Sequence, residues 1–212
     1  MTKGFAPIFD KNSKILILGT LPSETSLKNY ELTKNEDYYF NFSHNQFWKI
    51  IAEALNVNHE KIINPSNYEY RKKILIENNI ALWDIISYAD RKKDSSKDVN
   101  INPETIIFND IKSILSENIK TIIINGKGKK NAMGYFLKYC NEEILKPLSV
   151  ALEDNDLHTK FYKWINEVKV YPMEATVNRN MKPHNKQQWV NIIRKNTSDN
   201  INTLPKAFIV KK

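Results

Sequence analysis

The chain has 212 residues, 41% of them hydrophobic and 26% charged, which is the composition of a globular protein long enough to bury one sizeable core. Lys and Arg number 32 against 24 Asp and Glu, so the net charge of +8 favours a polyanionic partner without naming it. A single cysteine excludes a disulfide framework, an iron–sulfur cluster held by four thiolates and a zinc site made mainly of cysteines. Because no apolar stretch reaches transmembrane length and Met1–Pro7 lacks the apolar run of a signal peptide, we expect a cytoplasmic protein.

Apolar runs and helix-like spacings alternate along the chain. Short apolar runs bounded by Gly or Pro indicate buried strands, and apolar residues three and four apart indicate helices. In chain order the pattern predicts a strand at 14–18, a helix at 47–56, a helix from a cap at 65–67 to about Asn78, a strand at 80–86, a helix from Asn109 to Glu117, a strand at 121–124, a helix from about Lys129 to Cys140, a strand at 168–171 ended by Pro172, and a helix from about Asn185 to Arg194.

This alternation favours a mainly parallel sheet with helices on both faces. We therefore predict an α/β fold, a three-layer sandwich with a central, mainly parallel four-stranded sheet. One domain is expected at 1–195, followed by a polar and then basic tail at 196–212. Ligands of such folds bind at the carboxyl ends of the strands, which predicts functional loops at 19–23, 84–88, 125–126 and 172–179.

The segment Tyr38–Trp48 combines six aromatic side chains with four amide or imidazole side chains just before a helix. Aromatic faces beside amides suit a flat heterocycle, because the ring stacks while the amides hold its edge or a water. The alternative interpretation is a helix entry at which Phe47 and Trp48 are only core residues.

Other motifs are weaker. Gly126–Lys130 lacks the spacing of a phosphate-binding P-loop and reads as a turn with solvated lysines. Together with 91–93, these lysines are candidates for a basic rim on the carboxyl edge of the sheet. The four His show no zinc-binding spacing, and Cys140 has the pattern of a core residue.

Several segments in a fixed order carry a resemblance to a known family. They are Gly19-Thr20-Leu21-Pro22-Ser23, Tyr38-Tyr39 followed by 42–48, Ala81–Ile86, Asn109-Asp110-Ile111 and Asn125-Gly126. Over residues 14–140 the chain resembles the uracil-DNA glycosylase superfamily, with the best match to its hypoxanthine-DNA glycosylase branch, often called family six.

The resemblance implies a monofunctional DNA glycosylase of base-excision repair. Such an enzyme flips a deaminated base (hypoxanthine, uracil or xanthine) out of DNA and hydrolyses its N-glycosidic bond, leaving an abasic site. It further implies a monomer that acts on single- or double-stranded DNA and needs no cofactor or metal.

The resemblance also assigns roles to residues. Asn45 would position the attacking water, Phe47 would stack on the base, and Asp84 would read the base edge. The remaining base-binding residues would be Gly19, Thr20, Leu21 and Tyr39, and the DNA-binding residues would be Pro22, Ser23, Lys127, Lys129, Thr176, Asn178 and Arg179.

One block of the family is altered here. The fourth block of the family resembles Leu-Pro-Ser-Thr-Ser-Pro-Ala-Asn. The corresponding segment of this chain, Tyr171–Asn178, lacks most of the small hydroxyl residues and carries Glu174. The change motivates an alternative, a non-catalytic nucleic-acid-binding protein of the same fold. A third interpretation is another nucleotide or sugar-phosphate enzyme built on a doubly wound sheet.

Overall fold

A computed structural model describes residues 2–23, 45–64, 67–92, 97–115, 118–145, 167–177 and 181–201. The predictions for Tyr38–His44, which include Tyr39, and those for Lys93, Asn178 and Arg179 lie outside the described residues.

The described residues form strands and helices that alternate for most of the chain. In order they are β1 (Thr2–Lys3), β2 (Ile15–Gly19), α1 (Phe47–Leu55), α2 (His59–Ile63), α3 (Tyr68–Glu77), β3 (Ile80–Asp84), β4 (Ile86–Ala89), β5 (Ile107–Phe108), β6 (Thr121–Asn125), α4 (Ala132–Tyr139), β7 (Lys169–Met173) and α5 (Pro183–Ile201). Single 3-10 turns lie at Asp98–Asn100, Pro103–Thr105 and Ile111–Ser113, and the π-helical segment Cys140–Leu145 follows α4.

The central sheet has the strand order β3-β2-β6-β7, and every neighbouring pair is parallel. β2, β3 and β6 are buried along their whole length, which explains why each reads as a continuous apolar run. The predicted α/β fold, a four-stranded parallel sheet flanked by helices, is confirmed. All four strands point their carboxyl ends to one edge, where Gly19 is paired with Asp84 and Asn125 with Met173.

A second, antiparallel sheet of order β1-β4-β5 was not predicted. The apolar run at 80–86 reads as one strand, but β3 ends at Asp84 and the chain enters β4 at Ile86. At this break the Ile85 and Ile86 amides donate to the carbonyls of Gly19 and Thr20, both at 3.0 Å. Nothing in the apolar pattern marks the point where the chain leaves one sheet for the other.

The helix predicted from Asn109 to Glu117 is wrong over the described part of that range. Only a 3-10 turn forms at Ile111–Ser113, and Asp110 caps it by accepting from the Ser113 amide. Asn109, the predicted cap, instead donates from Nδ2 to the main-chain carbonyl of Asp84 at 2.7 Å. The same residue type that caps helices has been recruited to hold a strand end.

Two further boundaries differ from the prediction. Pro172 lies inside β7 rather than ending it, since β7 is an edge strand and an edge position tolerates a residue without an N–H. Helix α5 continues to Ile201 rather than ending near Arg194. Asn196 accepts a hydrogen bond from the Thr121 hydroxyl at 2.7 Å, and Thr197 is buried, so the first residues of the predicted tail are helical and packed on the sheet.

Helix α1, which begins at the carboxyl edge of the sheet, is held from two sides. The Arg194 guanidinium of α5 donates to the carbonyls of Glu53 and Ala54 near the end of α1. On the other side the buried Arg71 guanidinium lies 4.6 Å from the ring of Trp48 and donates to the carbonyls that end α2. These contacts hold α1 in place near both of its ends. Among the described helices, none is both long enough and apolar enough to cross a bilayer.

Candidate active site

The first part of the site is the joint between the ends of β2 and β3. Gly19 and Asp84 are partners in the sheet. The two segments that follow them stay hydrogen-bonded, because the Ile86 amide donates to the Thr20 carbonyl. Thr20 and Leu21 are buried, at 6% and 7% exposure. The Gly19–Leu21 loop and Asp84, which the sequence assigned to base binding, are thus brought together at the carboxyl edge of the sheet.

The Asp84 carboxyl at this edge is strongly perturbed by burial. The residue is 4% exposed, and its side chain has no hydrogen-bond partner among the described residues. Burial raises the pKa of Asp84 to about 8; the nearby Asp98 charge adds to the rise and Arg91 opposes it. Asp84 is therefore mainly protonated at neutral pH. In that form it both donates and accepts a hydrogen bond.

Two residues that the sequence did not assign to the site complete this side of it. The Thr20 hydroxyl donates to Asp98 Oδ2 at 2.6 Å, and Arg91 Nη2 lies 4.0 Å from Asp98 Oδ1. Arg91 also donates to the carbonyls of Pro22 and Leu21, at 2.9 and 3.4 Å. Its side chain is fully buried, so the prediction that Arg91 belongs to a solvated basic rim is wrong.

Arg91 and Asp98 instead hold the first loop in place. The sequence signal that could have found them is weak, because an Arg in a loop and an Asp before a short apolar stretch are common on any protein surface. Burial of Asp98 raises its pKa, while the Thr20 hydroxyl and Arg91 lower it.

The second part of the site is the start of α1. Asn45 is half-buried, and its Oδ1 accepts from the amide of Phe47, the first residue of α1, at 2.9 Å, while the N-cap position itself is Gln46. Phe47 has no exposed surface and packs edge-on against Trp48, with ring centroids 5.0 Å apart. The open ring face that a stacking role requires is absent at Phe47 in this structure, and the alternative interpretation of Phe47 as a core residue describes its packing.

Asn125, at the end of β6, connects the altered 172–177 block to α1. Its side chain accepts from the Thr176 amide at 2.9 Å and donates to the Thr176 hydroxyl at 3.0 Å. The Thr176 carbonyl in turn accepts from the Gln46 amide at 2.8 Å. Thr176 is fully buried, so the prediction that it contacts DNA is corrected: its amide, hydroxyl and carbonyl are all used to join β6, β7 and α1.

The remaining predicted DNA-binding residues divide by exposure. Pro22 is buried and its carbonyl is bound by Arg91, so it faces the protein rather than solvent. Ser23 is half-buried, and Lys127 and Lys129 are exposed. Lys127 Nζ lies 3.1 Å from Glu174 Oε2, so the acidic residue that distinguishes the altered block is neutralised by a lysine of the neighbouring loop.

The two parts of the site lie on either side of β2. Asp84 ends β3 and Asn125 ends β6, and the sheet order puts β2 between these strands. Strands pair about 5 Å apart, so the two residues are separated by roughly 10 Å across the sheet edge. The acid Asp84 on one side and the amide Asn125, which connects to the start of α1 through Thr176, on the other therefore flank the end of β2. Within the described ranges, no three His, Cys, Asp or Glu side chains group closely enough to hold a metal ion.

Comparisons with known proteins agree with this architecture. No protein-family model matches the chain. A hypoxanthine DNA glycosylase from Methanosarcina barkeri is 30% identical over 142 residues, which cover 64% of this chain and 82% of that protein. One of the same name from Methanosarcina acetivorans is 28% identical over 193 residues, covering 91% of this chain and 98% of that protein. A solution NMR structure from Methanosarcina acetivorans, described as a candidate uracil DNA glycosylase, matches with a TM-score of 0.61 and 25% identity over 92% of this chain and 97% of that chain.

The parallel sheet with its acidic and amide-bearing carboxyl edge is the fold of the uracil-DNA glycosylase superfamily. Within that superfamily the chain belongs to the hypoxanthine DNA glycosylase family. The resemblance stated from the motifs is confirmed, as is the enzyme class, a hydrolase that cleaves the N-glycosidic bond of DNA.

Proposed function

We propose that this enzyme removes hypoxanthine from DNA, with uracil and xanthine as the other candidate bases, and leaves an abasic site. The observation that carries the proposal is the Asp84 carboxyl, buried at the end of β3 with no hydrogen-bond partner in the described part of the chain. A protonated carboxyl offers one donor and one acceptor side by side. Hypoxanthine, uracil and xanthine each present an N–H next to a C=O, which is the complementary edge.

Access to that edge requires the base to leave the duplex. Extrusion costs a few kcal/mol, and least for a mispaired deaminated base, so the cost itself contributes to discrimination. The exposed Lys127 and Lys129 on the loop after β6 are placed to hold the backbone beside the extruded nucleotide. Lys127 must then exchange its bond to Glu174 for one to a phosphate.

Asn45 is the residue we propose to position the attacking water. Its Oδ1 keeps a second lone pair beyond the bond to the Phe47 amide, and Nδ2 has no partner among the described residues. An amide is a poor base, so the rate must come from proximity and from stabilising the departing base. Leu21 in the first loop is apolar and buried, and so cannot share this task. Because hydrolysis needs only water and DNA, the proposed reaction uses no cofactor or metal. We also propose that the enzyme is a monomer and works in the cytoplasm.

The test is a cleavage assay on duplexes that carry inosine, deoxyuridine or deoxyxanthosine at one position. After incubation, hot alkali converts abasic sites into strand breaks. We expect breaks at the inosine position and none in a matched duplex with adenine there. Salt-sensitive binding without breaks would favour the non-catalytic binding protein, and no binding at moderate salt would favour another nucleotide or sugar-phosphate enzyme.

A further inference from the structure

Two carboxyl groups from different elements meet beside the first loop. Asp84 ends β3, and Asp98 begins the 3-10 turn at Asp98–Asn100. Asp98 accepts from the Thr20 hydroxyl at 2.6 Å, and Thr20 follows Gly19, the sheet partner of Asp84, so the two acids lie beside the same loop. In this arrangement the charge of Asp98 raises the pKa of Asp84. Asp98 belongs to none of the motifs by which the chain resembles its family, so its place beside Asp84 comes from the fold.

The two acids have unequal surroundings. The ionised form of Asp98 is stabilised by the Thr20 hydroxyl at 2.6 Å and by the Arg91 guanidinium at 4.0 Å. Asp84 has neither kind of partner on its side chain within the described residues, and it is the more deeply buried of the two. When two neighbouring acids share one proton, it stays on the acid whose charged form is less stabilised. Here that acid is Asp84.

Among the described residues, Arg91 and Tyr135 also interact with the two acids. Arg91 acts on both acids and lowers the pKa of each. Tyr135 donates from its hydroxyl to the Asp98 main-chain carbonyl at 3.2 Å. Burial and the Asp98 charge raise the pKa of Tyr135, with Arg91 opposing, so its phenol stays neutral near pH 7. Within the described residues, Arg91 is thus a cation that acts on both acids of the pair.

We propose that Asp98 is a positioning residue of the glycosylase reaction: its charge, held by Thr20 and Arg91, keeps Asp84 protonated, and Asp84 gives that proton to the departing base. This inference rests on the proposed function, because it assumes that the base edge binds at Asp84. It adds an acid to a reaction in which Asn45 supplies only a positioned water.

The step balances as follows. The bond between the sugar C1′ and N9 of hypoxanthine breaks, and its electron pair stays with the purine. The Asp84 proton moves to O6, the carbonyl oxygen of the base edge that binds Asp84, so the base leaves as a neutral tautomer rather than an anion. The water oxygen bonds to C1′ and releases one proton to solvent, and Asp84 takes one proton from solvent. The net reaction consumes one water and yields free hypoxanthine and an abasic sugar.

The test is the pH dependence of single-turnover cleavage of an inosine duplex by the full chain and by Asp98→Asn. For the wild type we expect the rate to fall as pH rises through about 8, where Asp84 loses its proton. Without the Asp98 charge the fall moves to lower pH. A displacement of about one pH unit cuts the protonated fraction at pH 8 from about one half to about one tenth, a loss of about fivefold, while the rate at pH 5.5 stays within about twofold. Asp98→Glu restores the charge and should return the fall toward its original pH.

A purely structural role for Asp98 predicts a loss that is equal at all pH values, and that result would overturn the proposal, as would an unchanged profile. Asp84→Asn, the matched change in the other acid, should lower the rate at every pH and abolish the fall near pH 8.

A variant-free measurement guards against misfolding of Asp98→Asn. In the wild-type protein, carbon-13 NMR of the side-chain carboxyls should show Asp84 titrating at higher pH than Asp98. The reverse order would overturn the proposal. If the wild type cleaves no duplex at all, the proposed function fails, and the titration order still decides whether the acid pair exists.

Discussion

Asn45 has two tasks in the proposed mechanism, since its side chain binds the first amide of α1 and positions the water. We predict that Asn45→Ala lowers the single-turnover rate on an inosine duplex by roughly 10²–10⁴, the range for a positioned acid–base group. The loss of the hydrogen bond to the Phe47 amide should also cost about 1 kcal/mol of unfolding free energy, measured by denaturant titration.

Asn58→Ala is the matched control for this substitution. Asn58 caps α2 by accepting from the Lys61 amide at 2.8 Å, so its loss should have a similar effect on stability. Because α2 carries none of the proposed site residues, the cleavage rate of Asn58→Ala should be unchanged. An Asn45→Ala enzyme that cleaves at nearly the wild-type rate would remove Asn45 from the mechanism.

The raised pKa of Asp84 leads us to predict that the stability of the protein depends on pH. Its pKa is about 8 in the folded state and near 4 in the unfolded chain, so the folded state holds the proton more tightly between those values. The stability that this group contributes is complete below about pH 4 and is lost as pH rises through 8. We expect the advantage of Asp84→Asn over the wild type in unfolding free energy to grow from pH 5 to pH 8.5, by an amount on the order of a few kcal/mol. A difference that stays constant over this range would contradict the protonated state of Asp84.

The sequence identified site residues unevenly. Gly19, Thr20 and Asp84 lie at the sheet edge where the ends of the predicted strands placed the loops 19–23 and 84–88, whereas their base-binding roles come from the resemblance and stay a prediction. The sequence left the burial of Phe47 open between two interpretations, and it gave no sign of the burial of Thr176, which depends on how α1, β6 and β7 pack together. Arg91 and Asp98 were missed or misassigned for the same reason: their partners are 69 to 78 positions away in the chain.

Among the structural elements, the loops after β6 and β7 make the clearest testable unit. The Lys127–Glu174 ion pair joins these loops and occupies a lysine that we propose binds phosphate. Glu174→Gln should therefore tighten binding to an undamaged duplex and steepen its salt dependence by about one unit of log K against log salt. Fluorescence anisotropy at several salt concentrations measures both quantities.

The control for Glu174→Gln is Glu77→Gln. Glu77 forms a comparable exposed ion pair with Lys73 on α3, which leads into the amino-terminal edge of the sheet, away from the site. Its loss should leave DNA binding unchanged. Weaker DNA binding by Glu174→Gln would mean that the ion pair orders the loop rather than competing with phosphate.

Elements were predictable where burial imposes a simple pattern. β2, β3 and β6 are buried on both faces, and their apolar runs located them to within two residues. The elements that failed depend on hydrogen bonds between distant residues. Asn109 binds the Asp84 carbonyl instead of capping a helix, and Asn196 binds Thr121, which anchors the last turns of α5. Neither bond has a signature in the local sequence.

The whole molecule carries a net charge of +8, and this charge predicts how it binds DNA. Affinity for an undamaged duplex should fall linearly with the logarithm of salt concentration, because bound phosphates release counterions. Lys129→Gln should weaken binding and reduce that slope by about one. Fluorescence anisotropy titrations from low to moderate salt measure the affinity and its salt slope. A slope near zero for the wild type would contradict an electrostatic mode of binding.

At the level of the molecule, the alternation of strands and helices was enough to predict the parallel sheet and the edge that holds the site. The second sheet escaped prediction because β1 and β5 have only two residues each, too few to show a period. The resemblance to the glycosylases added the reaction class, which composition and periodicity do not contain.

The most direct measurement is mass spectrometry of the products formed from an inosine duplex in a single turnover. Hydrolysis of the N-glycosidic bond predicts free hypoxanthine in an amount equal to the abasic sites formed, with the DNA strand intact until alkali is added. Inosine that stays in the duplex, or a strand that breaks without release of the base, would contradict it.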